Sequence, residues 1–339
     1  MDVRANKAIS LDGKRILLTG GAGFIGSHLA EALLRRGASL SILDNFDDYY
    51  PRVLKEQNLD ELRAIGDFEA LPVDICNPEE LRRAFMKVRP EAVIHLAACV
   101  GIQPSIIEPH RYEQVNVGGT INLLELMKEF GVQKFIFSSS SSIYGSSSPA
   151  PFVESAVSLR PMSPYACTKL AGELWASNYA QLYRIPTVCL RFFSVYGPRQ
   201  RPDLAIHKFV ALMAQGLPVS LFGEGDSLRD YTYVDDTVAG ILGALNYDVW
   251  RQSGEMSDVF NLGSNQPVKL IDLIHSIESV MGIKAILEFH KPKAGDMPCT
   301  FADITKASER LGFTPLTPLR EGIEKFVAWF RARSDLHGA

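Results

Sequence analysis

The sequence predicts an α/β protein in which a doubly wound parallel sheet is accompanied by a smaller α/β domain. Through the first half of the 339 residues, short and continuously apolar runs alternate with helical patterns. Continuous apolar runs are typical of parallel strands that are buried on both faces. After about residue 190 prolines and glycines come in bunches, which indicates a smaller, loop-rich domain. At roughly 150 residues per domain, the length fits two domains.

Five apolar runs in the first half have the length and composition of buried strands. They cover residues 14–19 (KRILLT), 39–43 (SLSIL), 70–75, 92–98 (AVIHLAA) and 134–138 (KFIFS). Helical patterns lie between them, at residues 28–36, 78–88 and 117–130. Because strands and helices alternate, we expect the strands to pair in parallel.

Two later runs also resemble strands, at residues 230–234 (DYTYV) and 259–262 (VFNL). We expect both to return to the first sheet. The sequence therefore predicts a first domain over residues 1–190 with returning segments near 230–263, and a discontinuous second domain over residues 191–339.

Composition excludes several classes of function. Lys and Arg number 35 against 39 Asp and Glu, a formal net charge of -4, so the basic surface of a nucleic-acid-binding protein is not expected. No run of about 18 apolar residues predicts a membrane span. The first dozen residues contain no apolar signal segment, so we expect a cytoplasmic protein. The five cysteines include no CxxC and the seven histidines no HxxxH, so no metal site is predicted.

A glycine-rich loop lies where the first predicted strand meets the first predicted helix. The spacing of Gly20, Gly23 and Gly26 permits a tight turn and close approach of the backbone to a pyrophosphate, which the free N–H groups of a helix N-terminus would bind. Asp44 ends the second predicted strand, 18 residues after Gly26. A carboxylate there accepts hydrogen bonds from a ribose and repels a 2′-phosphate. These residues predict an NAD site rather than an NADP site.

Tyr165 and Lys169 lie four residues apart on a predicted helix that begins after Ser163 and Pro164, and therefore share one helix face. A phenol is a poor base at neutral pH, but an ammonium one turn away would favour the phenolate. YxxxK alone is common by chance. Here it follows a strand that ends in serines, and Ser140 could hydrogen-bond the same substrate hydroxyl that Tyr165 deprotonates.

Six motifs occur in order along the chain. They are TGGAGFIG at 19–26, HLAA at 95–98, SSSSSIYG at 138–145, YACTK at 165–169, LRFFSVYGP at 190–198 and RDYTYVDD at 229–236. In this combination, residues 14 to about 330 resemble the extended short-chain dehydrogenase/reductases of the nucleotide-sugar epimerase type. The resemblance implies a Rossmann domain that holds NAD and a C-terminal domain that holds a UDP-sugar. It also implies a homodimer formed by the helices near 117–130 and 165–182.

The resemblance assigns roles to individual residues. Ser140 and Tyr165 would act on the sugar O4, and Lys169 would bind the nicotinamide ribose and tune Tyr165. The implied cofactor-binding residues are Gly20, Gly23, Phe24, Ile25, Gly26, Asp44, Asn45, Asp74, Ile75, Leu96, Ala97, Ala98, Asn116, Ser138, Tyr165, Lys169 and Phe192. The implied substrate-binding residues are Ser140, Ser141, Ser142, Tyr165, Ser194, Arg201, Arg229, Lys293 and Asp296.

The reaction that follows oxidation at C4 is indicated by residues that are missing. Similar 4,6-dehydratases carry Asp-Glu directly after the catalytic threonine, and UDP-glucuronate decarboxylases usually carry glutamate at the Ser142 position. Here Ser141 and Ser142 follow Ser140. Without an additional acid or base, the 4-keto intermediate can only turn over and accept the hydride back. The sequence therefore predicts an isomerase that epimerises C4 and regenerates NAD.

The choice of sugar depends on residues 191–203 (RFFSVYGPRQRPD). This segment is more similar to UDP-glucuronate 4-epimerases than to UDP-glucose 4-epimerases, which usually have asparagine at the Ser194 position. In the glucuronate enzymes a threonine there, and an arginine matching Arg201, contact the sugar carboxylate, whereas Gln103 departs from their pattern. We expect UDP-glucuronate to be converted to UDP-galacturonate, with UDP-glucose 4-epimerase as the alternative. A neutral sugar is expected to leave Arg201 unpaired.

Two other classes of function remain open, a non-catalytic NAD-binding scaffold and a net-reducing sugar synthase. An intact set of Ser140, Tyr165 and Lys169 argues against the scaffold, because a sensor needs no base.

Overall fold

Strands and helices alternate along the computed structural model, which describes residues 10–146, 148–249, 254–291 and 297–333. The strands are β1 (Arg15–Thr19), β2 (Ser39–Leu43), β3 (Glu69–Leu71), β4 (Ala92–His95), β5 (Lys134–Ser140), β6 (Thr187–Phe192), β7 (Ser194–Tyr196), β8 (Val219–Phe222), β9 (Leu228–Tyr233), β10 (Ser257–Leu262), β11 (Pro267–Lys269) and β12 (Leu287–His290). The helices are α1 (Phe24–Leu34), α2 (Arg52–Arg63), α3 (Pro78–Val88), α4 (Ile102–Ile107), α5 (Pro109–Glu113), α6 (Gly119–Phe130), α7 (Pro164–Tyr183), α8 (Ala205–Ala214), α9 (Val234–Asn246), α10 (Leu270–Met281), α11 (Thr305–Leu311) and α12 (Leu319–Ala332). A π-helical turn covers Gln114–Gly118 and a 3-10 turn covers Ser141–Tyr144.

A seven-stranded parallel sheet forms the larger part of the fold, in the order β10-β6-β5-β4-β1-β2-β3. Side chains alternate between its faces. Ile16 and Leu18 pack with helices α1, α2 and α9, whereas Leu17 packs with α3, α6 and α7. The predicted doubly wound parallel sheet is confirmed, and its strands are buried on both faces as the continuous apolar runs indicated.

A smaller α/β part stands beside the carboxyl ends of this sheet. It contains the sheet β11-β9-β7 and the pair β12-β8. Helices α8, α10 and α12 cover these strands through an apolar cluster that includes Phe209, Leu273 and Phe326. Phe24, at the start of α1, packs into the same cluster, so the two parts share a core.

Only one of the two later runs returns to the central sheet. Strand β10 pairs in parallel with β6, and its Phe260 and Leu262 continue the core of the first face. The expectation for residues 230–234 is wrong, because β9 pairs with β7 and β11 instead. Asp230 in β9 is fully buried and accepts hydrogen bonds from the backbone of Ser264 and Ala302 at 2.6 and 3.1 Å, which anchors this strand to the loops of the smaller part. The predicted boundary at residue 190 lies inside β6.

Several predicted elements begin or end elsewhere. The first helix begins at Phe24 rather than at residue 28, because the glycine loop runs directly into it. Strand β3 ends at Leu71, since Pro72 has no N–H for a ladder bond. Strand β5 extends to Ser140, and this extension carries the serine run into the sheet.

A buried ion pair joins α7 to β6. The Arg191 guanidinium donates to both carboxylate oxygens of Glu173, at 3.0 and 2.9 Å, and also to the Tyr144 hydroxyl at 2.8 Å. Tyr144 in turn donates to Asn261 Oδ1 in β10 at 2.7 Å. Arg191 and Glu173 are almost entirely inaccessible, so removing one partner leaves an uncompensated buried charge.

We expect Glu173→Ala to lower the free energy of unfolding by about 3–5 kcal/mol, the range for breaking a buried pair from one side. Glu324→Ala is the matched control, because Glu324 pairs with Arg320 on an exposed helix face, where ion pairs contribute about 0.3–0.5 kcal/mol. Urea denaturation monitored by circular dichroism measures both variants. Equal effects of the two substitutions would show that the Arg191 network is not a major source of stability.

Candidate active site

The phosphate loop between β1 and α1 leaves no room for a Cβ at Gly20 or Gly26. Gly20 has a φ of +71°, and a Cβ there would lie 2.8 Å from the Ala97 nitrogen. A Cβ on Gly26 would collide with the Gly20 carbonyl, and one on Gly23 would lie 3.2 Å from it. The bare backbone at the N-terminus of α1 therefore forms a cradle that a pyrophosphate fits.

Asp44 follows β2 directly and is buried beside this loop. Its carboxylate accepts hydrogen bonds from the N–H groups of Ala22 at 3.2 Å and Phe46 at 3.0 Å. Lys55 Nζ lies 3.7 Å from Asp44 Oδ1, a cation that the sequence patterns did not indicate. Burial raises the pKa of Asp44, and Lys55 opposes that shift.

The other predicted adenosine contacts lie at the ends of β2 and β3. Asn45 Nδ2 donates to Asp74 Oδ2 at 3.0 Å, and the Cys76 N–H donates to Asp74 Oδ1 at 2.7 Å. The side chain of Ile75 is buried against Gly119, so only its backbone is available to a ligand.

The predicted cofactor residues with large apolar side chains use those side chains in the core. Phe24 packs in the cluster of the smaller part, Ile25 contacts both clusters, and Phe192 and Leu96 pack against the first face of the sheet. These residues would therefore contribute backbone atoms and the shape of the surrounding surface to a cofactor site. Ala97 and Ala98 follow β4 and are partly accessible.

His95 connects the phosphate-loop strand to the helix behind the site. Its Nδ1 lies 2.7 Å from Thr19 Oγ1, and its Nε2 lies 3.1 Å from Thr120 Oγ1. Thr120 donates its proton to the Asn116 carbonyl at 2.6 Å, so His95 Nε2 must be the donor and Nδ1 the acceptor. Burial lowers the pKa of His95 to about 3, which keeps the imidazole neutral. The HLAA motif contained this histidine, but no sequence signal gave its role.

Asn116 lies in the π-helical turn and holds the loop after β4. Its Oδ1 accepts from the Cys99 N–H at 2.7 Å, and its Nδ2 donates to the Cys99 carbonyl at 2.9 Å and to Thr168 Oγ1 at 3.0 Å. Thr168 donates to the Tyr165 carbonyl at 2.8 Å. Asn116 thus ties the loop after β4 to the first turn of α7.

Ser140, Tyr165 and Lys169 come together where β5 ends and α7 begins. Ser140 Oγ accepts hydrogen bonds from the N–H and the hydroxyl of Ser142, at 3.2 and 2.9 Å. Lys169 is buried and donates to the Ser138 carbonyl at 2.8 Å. Burial lowers the pKa of Lys169 to about 8. Ser163 caps α7 by accepting from the Ala166 N–H at 3.2 Å, which fixes the helix turn that carries Tyr165.

Burial raises the pKa of the Tyr165 phenol, and two groups oppose this shift, a hydrogen bond with Ser140 and the charge of Arg201. The tuning of Tyr165 by Lys169 stays a prediction. The Tyr112 ring meets the Tyr165 ring edge-on with centroids 6.3 Å apart, and the Tyr112 hydroxyl donates to the Val100 carbonyl at 3.0 Å. Tyr112 was not predicted, because nothing in its sequence neighbourhood marks it.

The predicted substrate residues lie on several different elements. Ser141 and Ser142 lie in the 3-10 turn after Ser140, and Ser194 lies in β7. The positive charge of Arg201 opposes the upward shift of the Tyr165 pKa. Arg229 in β9 donates to the Leu228 carbonyl at 2.9 Å, and β9 pairs with the strand that carries Ser194. Lys293 and Asp296 lie outside the described residues.

Arg201 is not an unpaired cation. Its Nε and Nη2 donate to the two carboxylate oxygens of Asp203, at 2.9 and 2.8 Å. The expectation that a neutral sugar would leave Arg201 unpaired is therefore wrong. Asp203 lies two residues further along the chain, so the RPD sequence was the available signal.

Among the residues that the structure describes, no helix is long and apolar enough to cross a membrane. Within the same ranges, no three His, Cys, Asp or Glu side chains meet as a metal site requires.

The chain is similar to known proteins over most of its length. Residues 16–263 match the NAD dependent epimerase/dehydratase family. A UDP-glucuronate 4-epimerase of Thermodesulfobacterium geofontis (strain OPF15) is 39% identical over 324 residues, which cover 94% of this chain and 97% of that protein. Protein CapI of Staphylococcus aureus is 38% identical over 332 residues, covering 93% and 98%.

Two solved structures are similar over nearly the whole chain. The UDP-glucuronic acid 4-epimerase from Bacillus cereus, in complex with UDP-glucuronic acid and NAD, has a TM-score of 0.86 and 36% identity, covering 94% of this chain and 99% of that one. A UDP-glucose 4-epimerase from Thermotoga maritima with UDP-glucose has a TM-score of 0.85 and 34% identity, covering 94% and 98%. The resemblance indicated by the motifs is confirmed, and the chain belongs to the NAD dependent epimerase/dehydratase family.

Proposed function

We propose that this protein is an NAD-dependent isomerase that epimerises C4 of a UDP-sugar through a 4-keto intermediate, converting UDP-glucuronate to UDP-galacturonate. The observation that carries the proposal is that Ser140, Tyr165 and Lys169 meet where β5 ends and α7 begins, with Arg201 as a largely enclosed cation in the segment after β7. The charge of Arg201 also opposes the upward shift of the Tyr165 pKa. The site thus combines a proton acceptor with a cation suited to a carboxylate. The similarity to UDP-glucuronate 4-epimerases supports the same choice.

The cofactor site is inferred from the loop geometry. The loop of Gly20, Gly23 and Gly26 would hold the pyrophosphate, and Asp44 would hold the adenosine ribose. Lys169 would bind the second ribose. When bound, NAD supplies a reversible acceptor for the C4 hydride.

The residues of the chain handle the proton. Tyr165 takes the proton of the sugar O4 hydroxyl as C4 becomes a carbonyl, and returns it when the hydroxyl re-forms on the opposite face. Ser140 hydrogen-bonds the same oxygen and orients it. Since Ser142 donates to Ser140, Ser140 keeps its own hydroxyl proton to donate, either to Tyr165, with which it hydrogen-bonds here, or to the sugar O4.

The side chains after Ser140 favour epimerisation over elimination or decarboxylation. Ser141 is buried, and Ser142 is bonded to Ser140. Neither hydroxyl ionises near neutral pH, so neither can remove the C5 proton or protonate a leaving group at C6. The 4-keto sugar therefore turns over and is reduced again.

UDP-glucose remains the alternative substrate. The similarity to a UDP-glucose 4-epimerase is nearly as great in fold, and Asp203 neutralises Arg201 when no acid is bound.

With UDP-glucuronate as the substrate, the sugar carboxylate would contact Arg201 and the Ser194 hydroxyl.

We also propose a homodimer assembled through α6 and α7. Leu174, Trp175 and Leu182 on α7 are exposed, which is unusual for large apolar side chains on one helix face and is typical of an interface. Light scattering after gel filtration tests this assembly. The cytoplasmic location remains a prediction from the sequence.

Gly26→Ala should weaken NAD binding, because the new Cβ pushes the Gly20 carbonyl out of the cradle. Overpacking costs about 1–3 kcal/mol, which corresponds to roughly 5- to 150-fold in affinity. The control is Gly118→Ala, since a Cβ there meets nothing within 4 Å and its helical φ of -58° suits alanine. NAD released on denaturation of the purified protein and titration of the apo-protein provide the readouts. Unchanged NAD binding by Gly26→Ala would show that the loop does not hold the pyrophosphate.

Tyr165→Phe should reduce turnover by roughly 10²–10⁴-fold, the usual range for a lost general acid–base, while NAD stays bound. Tyr183→Phe, on the same helix but 40% exposed, should leave turnover unchanged. Coupled assays of C4 epimerisation with each variant measure the effect. Near-normal turnover by Tyr165→Phe would contradict the mechanism.

The wild type should epimerise UDP-glucuronate in preference to UDP-glucose, without release of carbon dioxide and without a 4-keto-6-deoxy product. Proton NMR of a UDP-sugar panel identifies each product. Arg201→Gln should lower kcat/KM for UDP-glucuronate at least about 30-fold, the lower end for truncating a buried charge pair. Arg63→Gln, which removes an exposed cation paired with Asp60, is the control.

A wild-type preference for UDP-glucose would replace the proposed substrate with the alternative. An equal loss of kcat/KM for both substrates in Arg201→Gln would show that Arg201 does not recognise the carboxylate.

A further inference from the structure

Asp203 already pairs with Arg201, whose guanidinium would bind the carboxylate of the proposed substrate. The two hydrogen bonds, at 2.9 and 2.8 Å, use Arg201 Nε and Nη2, and Nη1 lies outside that pair. The Arg201 side chain is 14% exposed, and the Asp203 side chain is 32% exposed. Arg201 is thus the enclosed member of the pair, and Asp203 is the member that water reaches.

Tyr49 fixes this pair from the loop after β2. Its ring centroid lies 5.4 Å from the Arg201 guanidinium carbon, and its hydroxyl donates to Asp203 Oδ2 at 3.4 Å. Although burial lowers the pKa of Arg201, the Asp203 carboxylate raises it, so the guanidinium stays charged. The pair therefore forms one neutral unit at the site.

Two other described cations have carboxylate partners of their own. Lys55 lies beside Asp44, and Arg111 contacts both Asp47 and Glu108, whereas Lys169 donates to the Ser138 carbonyl. Because Asp203 already uses Arg201 Nε and Nη2, a sugar carboxylate that binds Arg201 must share it with Asp203 or displace Asp203 from it. Two anions on one guanidinium repel each other, and the repulsion is stronger where water is excluded.

We propose that Asp203 is a specificity-determining residue that weakens the preference for acidic over neutral UDP-sugars by acting as an internal substitute for the sugar carboxylate. This inference rests on the proposed function. With a neutral sugar, Asp203 keeps Arg201 paired and spares the site a buried uncompensated charge. With an acidic sugar, Asp203 competes for the same donors. Both effects act in the same direction.

A competing interpretation treats Asp203 as a support that holds Arg201 in its productive orientation. The two interpretations predict opposite signs. If Asp203 competes, its neutralisation strengthens binding of the acid and weakens use of the neutral sugar. If Asp203 only supports Arg201, its neutralisation weakens binding of the acid.

The test compares wild type with Asp203→Asn and Asp203→Ser. We expect the ratio of kcat/KM for UDP-glucuronate to that for UDP-glucose to rise about 12- to 20-fold, the lower end of the range measured for close interfacial charge pairs. Most of the gain should be a lower KM for UDP-glucuronate. Calorimetry should show tighter UDP-glucuronate binding with unchanged affinity for UDP, which has no sugar. Asp60→Asn removes the same charge from an exposed pair with Arg63 and should not move the ratio.

An unchanged or lower ratio in both Asp203 variants, with thermal unfolding like that of wild type, would overturn the proposal. Should one variant unfold early, the other supplies the measurement. Failure of the proposed function gives a different result, because the wild type itself would not epimerise UDP-glucuronate. A wild type that epimerises it, with Asp203 variants that bind it no better, contradicts only the role of Asp203.

Discussion

The buried guanidinium of Arg191 is the constraint on which the site depends. A charge in the core must be matched by partners, and those partners lie on different elements, Glu173 on α7 and Tyr144 in the turn after Ser140. Satisfying one cation therefore fixes the helix that carries Tyr165 and Lys169 against the turn that follows Ser140. Asn261 extends the same network to β10 and to the Phe152 carbonyl. Side chains that act together in a reaction must be held in a defined geometry, and supporting hydrogen bonds to rigid elements provide this.

A second chain of hydrogen bonds connects the proposed cofactor site to the proposed site of proton transfer. It passes from Thr19 through neutral His95 and Thr120 to the Asn116 carbonyl, and from the Asn116 amide to Thr168 and Tyr165. Each donor has a defined acceptor, so the chain has a single arrangement. The loop after β4, which lines the predicted cofactor groove, thus cannot move without disturbing the first turn of α7.

Local patterns predicted most of the fold but few of the contacts within the site. Apolar runs located β1 and β2 closely, and the helical pattern at 78–88 matched α3, because burial is encoded within a few residues. The position of β9 was not predictable from its own composition, since it depends on Asp230 meeting Ser264 and Ala302 far along the chain. Likewise RFFSVYGPRQRPD marked Arg201 and contains Asp203, but closeness in sequence does not by itself specify that the two side chains pair.

The return of β10 to the central sheet has a consequence for how the chain folds. The segment from residue 193 to 256 builds much of the smaller part before the chain supplies the last strand beside β6. During synthesis β6 must therefore wait with an open edge, which is a site for misdirected pairing. A fragment that stops near residue 190 would lack Phe260 and Leu262 of the core. Pairing across such a separation is a slow, non-local step, so we expect the sheet to be completed late in folding, together with the smaller part.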